Sequence, residues 1–286
     1  MSDPNDTSSP SPDLPSHRLA FRDPEFLGRP ELRSYRLALE YAKPQLMQRE
    51  MNVQSTIVVF GSARIPSPRE SERACAGARE AVSRTPDDPD ARAALARALR
   101  LAELVPYYQE ARRFASMAAK YQREGEPYDF VVTTGGGPGI MEAANRGASE
   151  SGQSTMAFNI EIEHEQVPNP YITPELCFNF HYFAMRKMHF LLRARAMVAF
   201  PGGFGTLDEL FETLTLIQTG KMRRIPVVIF GQAWWSQVIN LEALVAAGTI
   251  SAADLRLISW ADSAVEAWEA INCFYESETP CEDSPL

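Results

Sequence analysis

Apolar and polar positions change their period along this chain. Between 31 and 50, Leu32, Tyr35, Leu39 and Leu46 form a rough helical stripe, interrupted by Pro44. At Thr56-Ile57-Val58-Val59-Phe60 the pattern becomes a short β-branched run with no polar face, stopped by Gly61-Ser62. Such a run predicts a strand buried on both sides. Tyr128 to Thr133 is a second run of this kind, ending in Gly135-Gly136-Gly137. The stretch between them is longer than one crossover helix needs. We read 70–105 as a helical insertion with a polar turn at Thr85-Pro86-Asp87-Asp88-Pro89-Asp90. Beyond 138 the alternation is regular: helix 138–151, strand 154–158, a loop through Pro168, Pro170 and Pro174, strand 175–180, helix 181–194, strand 196–200 and helix 206–219. Strand 225–230, helix 233–246, a short strand near 255–259 and helix 262–274 complete it. Strands alternating with helices predict an α/β fold, a doubly wound parallel sheet with helices on both faces. No internal repeat is present.

Composition changes this picture mainly at the ends. The 286 residues are 45% hydrophobic and 23% charged, ordinary globular values. Residues 1–20, with four prolines and five serines, cannot bury enough apolar surface to order themselves and are expected to be a disordered tail. Residues 276–286, with four acids and two prolines, are expected to be a flexible acidic tail, leaving 21–275 as one domain. The formal net charge of −9 argues against a nucleic-acid partner, which needs a basic face. No run of about 18 apolar residues and no basic-then-apolar leader occur, so no membrane partner is expected and the protein is read as cytoplasmic. Cys75, Cys177, Cys273 and Cys281 show no C-x-x-C spacing, and His17, His164, His181 and His189 no H-x-x-x-H pair. They predict reduced thiols and no metal site.

Chemistry gathers at strand ends, where ligands sit in open α/β sheets. Two glycine loops each follow a strand and open a helix. One is Thr134-Gly135-Gly136-Gly137-Pro138-Gly139-Ile140-Met141, with Pro138 placed at the helix start; the other is Pro201-Gly202-Gly203-Phe204-Gly205-Thr206-Leu207-Asp208-Glu209. Bare glycine backbone and free helix N–H groups make an anion cradle, and Thr206 adds a hydroxyl. Neither loop is the NTPase phosphate loop, because no G-K-[ST] follows, and Gly61-Ser62-Ala63-Arg64 is no dinucleotide fingerprint. Asp208 and Glu209 fall in the first turn after the second cradle, where helix acids are common. A carboxylate beside a phosphate cradle nonetheless wants a task, such as ribose hydroxyls or a water nucleophile. Arg186-Lys187 interrupts an otherwise apolar helix, and a cation there needs an anion or an exit to solvent. His181, His189 and Trp234-Trp235 read as packing residues.

Together, P-G-G-x-G-T-x-x-E at 201–209, Arg186-Lys187 fifteen residues earlier and G-G-G-x-x-x-M at 135–141 resemble the Lonely Guy (LOG) family of cytokinin riboside 5′-monophosphate phosphoribohydrolases and their bacterial relatives. The resemblance spans roughly 55–275 and is strongest to the longer bacterial branch, often labelled AMP nucleosidase or, misleadingly, lysine decarboxylase. It implies a Rossmann-like fold and a homodimer or higher homo-oligomer; the absence of metal-ligand and Schiff-base motifs predicts no cofactor. It implies hydrolysis of the N-glycosidic bond of a purine nucleoside 5′-monophosphate, with adenine or an N6-modified adenine as base, to free base and ribose 5-phosphate. By motif, Arg186 and Glu209 are the catalytic pair, and Lys187, Gly202, Gly203, Gly205 and Thr206 bind the nucleotide. Glu165 and Thr215 match further ligand-contacting positions. To the substrate-binding set we add Gly61 and Ser62, Gly135, Gly136 and Gly137, and Met185 beside Arg186. The insertion and the N-terminal extension depart from the family pattern.

Two other functions compete. A non-catalytic nucleotide or molybdenum-cofactor carrier would use the glycines but has no need of a carboxylate at the ribose. A pyridoxal-phosphate decarboxylase needs a Schiff-base lysine, and the four lysines, Lys43, Lys120, Lys187 and Lys221, include none in S-x-H-K.

Overall fold

A computed structural model describes residues 15–120, 129–162 and 167–277. Tyr128, His164, Glu165 and Cys281 lie outside these residues, as do 1–14 of the expected N-terminal tail. The rest of that tail includes a 3-10 turn at Pro15–His17.

After a short helix α1 (Pro24–Leu27), α2 runs from Arg33 to Glu50 straight through Pro44. Pro44 has no N–H to reach back to Glu40; the Glu40 carbonyl faces the His189 ring instead. The face that α2 buries carries Pro44 and Gln48, whereas Tyr35, Leu39 and Leu46 of the expected apolar stripe are exposed.

Strand β1 (Thr56–Phe60) is buried at every position, as its unbroken apolar run requires. The insertion follows as α3 (Pro68–Arg84) and α4 (Pro89–Ala102), which pack chiefly on each other. Ser67 and Glu70 form a capping box at the start of α3, and Asp88 caps α4. With proline at N1 of both helices, these caps fix the polar turn where it was expected. The crossover proper is α5 (Val105–Ala119), leading into β2 (Val131–Thr134).

Next come α6 (Ile140–Glu150), β3 (Thr155–Ile160), β4 (Cys177–Phe180), α7 (Phe183–Leu192), β5 (Ala194–Ala199) and α8 (Phe204–Gln218). Strand β6 (Val227–Phe230) is followed by two helices rather than the single one expected over 233–246: α9 (Gln232–Trp235) and α10 (Leu241–Ala246). Asn240 accepts a hydrogen bond from the Ala243 N–H at 2.9 Å and restarts the helix there. The last strand, β7 (Ile258–Ala261), and α11 (Ala264–Ser277) lie two to three residues later than their predicted positions.

The seven strands form one parallel sheet in the order β4-β3-β2-β1-β5-β6-β7. Successive β1 residues face opposite sides. Ile57 and Val59 enter a core with α5, α6 and α11, and Val58 and Phe60 enter a second core with α7 and α8. The strand order reverses between β1 and β5, so a crevice opens beyond the carboxyl ends of these two strands.

Candidate active site

That crevice is a cleft of about 690 Å³. Its walls bring together Gly61 and Ser62 after β1, Gly135 after β2, Arg186 on α7, and Gly202, Gly203, Gly205, Thr206 and Glu209 at the start of α8.

Helix α8 begins at Phe204. Leu207 makes the first intrahelical bond, to the Gly203 carbonyl at 3.0 Å, which leaves the N–H groups of Phe204, Gly205 and Thr206 at the cleft. Gly203 and Gly205 have negative φ and open space where a side chain would stand, so the fold itself does not require glycine at either place. A side chain there would fill the cradle. Gly202 differs, because a Cβ would fall 2.1 Å from Thr206 Oγ1.

This earlier helix start corrects the placement of the acids. Asp208 and Glu209 lie in the second turn of α8, beyond the reach of the dipole argument. Glu209 is only 6% exposed. Burial pushes its carboxyl up to about 7; Lys187 and Arg186 pull it down, and the like charges of Glu212 and Asp208 push it further up.

Arg186 is held from three sides. Its Nε donates to the Phe158 carbonyl at 2.7 Å, and its guanidinium stands 5.2 Å from the Phe190 ring centre. Gly135 makes room for it, since a Cβ there would fall 2.6 Å from Nη2. Burial lowers the guanidinium pKa, and Glu209 opposes that shift. Among the described residues no ion pair within 4.0 Å joins Arg186 to Glu209, although they share the cleft and each other's field. Helix α7 is itself fixed at its start. The Glu40 carboxylate accepts the N–H groups of His181 (2.9 Å) and Tyr182 (3.1 Å), a favourable place for an anion.

Other predicted site residues go elsewhere. Lys187 turns away from the cleft, with Nζ 2.9 Å from Asp208 Oδ1 and 3.0 Å from Glu212 Oε2. Burial works to lower its pKa, but these two partners outweigh it and hold it above the ordinary lysine value. Thr215 is exposed on the same outer face of α8, and its hydroxyl donates to the Phe211 carbonyl. Met185 packs into the apolar core.

Gly136 and Gly137 are buried, and Asn169 Nδ2 donates to both carbonyls at 3.2 Å. Gly136 has φ +78°, and a Cβ would meet the Asn159 side chain at 2.2 Å. Pro138 does not start α6, whose N-cap is Gly139 at φ +71°. The first helical N–H there, from Ile140, is already taken by the Ser62 carbonyl at 3.1 Å.

Sequence reasoning missed Arg64, an exposed cation in the cleft wall two residues after Ser62, and Trp234, which lines the cleft while Trp235 is buried in the core. The available signal was position alone: both follow a strand end. His189 is buried against the rings of Tyr41, Phe158 and Phe180, and His181 faces Glu161 at the surface. Among the described residues no helix is long and apolar enough to cross a membrane.

Residues 141–271 match the family model described as "Possible lysine decarboxylase". Among solved structures, the molybdenum cofactor binding protein of Rippkaea orientalis aligns at 18% identity and TM-score 0.41, over 59% of this chain and 88% of that one. The molybdenum cofactor carrier protein of Chlamydomonas reinhardtii aligns at 16% and 0.44, over 78% and 99%. The structural-genomics target TM1055 aligns at 18% and 0.46, over 77% and 99%. All three scores lie below 0.5, a weak likeness. No curated protein matches the chain. The matched segment, somewhat under half of the chain, carries Arg186, Lys187 and the whole 201–209 loop, and is similar to the LOG family.

Proposed function

We propose that the cleft hydrolyses the N-glycosidic bond of a purine nucleoside 5′-monophosphate, with adenine or an N6-modified adenine as base. One observation carries this reading. A buried carboxyl and a half-buried guanidinium face one cleft without pairing, beside a helix start whose two open glycines leave room for an anion. The 5′-phosphate takes the N–H groups of Phe204, Gly205 and Thr206. The sugar then lies over Glu209. As the C1′–N9 bond breaks, its electron pair leaves with the base and positive charge develops on the sugar. Ionised Glu209 stabilises that charge and accepts a proton from the attacking water, which forms the new C1′–O bond. Arg186 faces the negative charge that leaves with the purine; the base takes up one proton from solvent to become free, and Glu209 returns the proton it took from water to solvent. A carrier would hold the nucleotide and leave this bond intact.

The decarboxylase in the family model's description does not fit the cleft. Lys187 is tied to Asp208 and Glu212 on the outer face of α8, and none of the other lysines lines the cleft. The same reading includes a homodimer. Phe204 is 92% exposed, and Phe183 and Phe211 are also exposed on α7 and α8, a patch of the kind that marks an interface. Sedimentation at micromolar concentration should give twice the chain mass.

The direct test is incubation with AMP and adenosine, scored for released adenine. We expect AMP to be cleaved with a kcat/KM on the order of 10²-fold or more above adenosine, from two or more charge-assisted bonds to the phosphate. Equal values would overturn the cradle assignment, and no release from any purine monophosphate would favour a carrier.

A further inference from the structure

We propose that the groove between α5 and α6, on the far side of the sheet from α7 and α8, binds a small anion carrying two or more phosphate groups. The groove encloses about 710 Å³ and shares no lining residue with the active-site cleft. Four cations line it, Arg112, Arg113 and Lys120 from α5 and Arg146 from α6; the one carboxylate lining it among the described residues is Glu150. This surplus stands on a chain whose net charge is −9.

The packing of the helices explains why the cations converge. A Cβ on Gly147 would fall 2.0 Å from the Arg112 carbonyl, so α5 and α6 meet closely at that point and their long side chains stand over one seam. Arg112 Nε donates to Glu150 at 2.6 Å and Arg146 Nε at 2.8 Å. A guanidinium has five donors, so one shared carboxylate leaves part of each fork open. Among the described residues the one carboxylate paired with Arg113 is Glu110, at 3.7 Å, and it already accepts the Ala264 N–H at 2.6 Å. Lys120 has no ion pair among the described residues. The hydroxyls of Ser116 and Ser151, 2.8 Å apart, also line the wall, but Ser151 Oγ donates to the Gly147 carbonyl at 2.9 Å and Ser116 to Ser151, so the open donors are those of the cations. Oriented guanidinium forks with a neighbouring ammonium suit phosphate oxygens, and the charge surplus suits a polyanion better than a monoanion.

The test is calorimetric titration of the full chain with inorganic pyrophosphate, with ionic strength held constant by potassium chloride. Lys120 and Arg113 are exposed and hold no helix in place, so Lys120→Ala and Arg113→Ala should fold as wild type. Each should weaken one saturable site by roughly tenfold or more, the scale of one charge-assisted contact, and the double variant should lose it. Glu150→Gln removes the competing carboxylate and should tighten the site several-fold, a gain that a damaged protein would not show. Absence of saturable binding would overturn the proposal. So would titration of the double variant that matches wild type, since the bound pyrophosphate would then sit elsewhere, or weaker binding by Glu150→Gln.

Discussion

The two glycine loops look alike in sequence and do different work. In the loop after β2, the fold uses up the glycines. Gly136 and Gly139 take positive φ, Gly136 sits against Asn159, Gly139 sits against the Ser62 carbonyl, and Asn169 ties down the carbonyls. Gly135 clears space for Arg186. In the loop after β5, Gly203 and Gly205 have ordinary φ, and nothing lies within 4 Å of the point where a Cβ would stand. A glycine that the free fold does not need is better evidence for a ligand than one it does. By that measure the first loop builds the wall, and the second is the one we propose receives the anion.

The largest expected effect lies where the second loop meets its carboxyl. Glu209→Gln keeps the shape of the side chain and removes its charge. The kcat for release of adenine from AMP should fall about 10²–10⁴-fold, the usual range for acid–base participation. With the carboxyl near 7, wild-type kcat/KM should also fall about tenfold per pH unit on the acid side, and the variant should lose that limb. Wild-type turnover by a folded Glu209→Gln protein would leave the second loop with binding alone.

The opposite result is expected at the first loop. Gly136→Ala forces a side chain into the left-handed region and into Asn159, whose Nδ2 is bonded to the Phe178 carbonyl at 3.2 Å. Positive φ and overpacking together should cost about 2–4 kcal/mol of stability. Thermal or urea melting would register this, while the KM for AMP of the folded fraction should change little. A variant that melts as wild type but binds AMP poorly would reverse the roles assigned to the two loops.

Helical rotation accounts for much of what the sequence did not disclose. The sheet was legible because runs such as 56–60 and 225–230 are apolar on both faces, and only buried parallel strands tolerate that. The cleft was legible as strand ends followed by glycine. What a motif cannot show is direction. Consecutive helical residues point about 100° apart, so Met185, Arg186 and Lys187 part company: one packs into the core, one enters the cleft, and one crosses to Asp208 and Glu212. Thr215 is likewise turned from Glu209 on α8. Glycine itself misled the reading of the helix start, because Gly205 reads as loop yet lies inside α8, which put Asp208 and Glu209 one turn too early. The break between α9 and α10 depends on Asn240 accepting a backbone bond, a capping role that asparagine favours but that its place in the sequence does not force.

The buried charge also has a cost in stability. The Glu209 carboxyl titrates near 7 in the folded protein and near 4.5 when solvated. Between these values the folded state holds a proton that the unfolded state has lost, so the contribution of this group to stability falls as pH rises from about 4.5 to 7 and does not return above 7. Replacing it by Gln should therefore stabilise the protein by about 2–3 kcal/mol at pH 8, and the gain should vanish below about pH 4.5. Melting of wild type and variant across pH 4 to 8 tests this. A constant difference would show that the carboxyl is not perturbed.

The smallest effect separates the loops most cleanly. Gly205 is the second residue of α8, exposed, with negative φ and an empty space beside it. In a helix, alanine is better than glycine by roughly 0.5–1 kcal/mol, because glycine loses more backbone freedom on folding. Gly205→Ala should thus raise the melting temperature slightly. The added methyl group would stand where the phosphate approaches the N–H groups of α8, so KM for AMP should rise and kcat/KM should fall while kcat at saturation changes less. Adenosine, which brings no phosphate to that position, should be affected far less. A stabilised variant that had lost its preference for AMP would place the anion at the second loop by a measurement that the first loop cannot imitate. If Gly205→Ala instead lowered stability, the glycine would be structural after all, and the contrast between the two loops would fail.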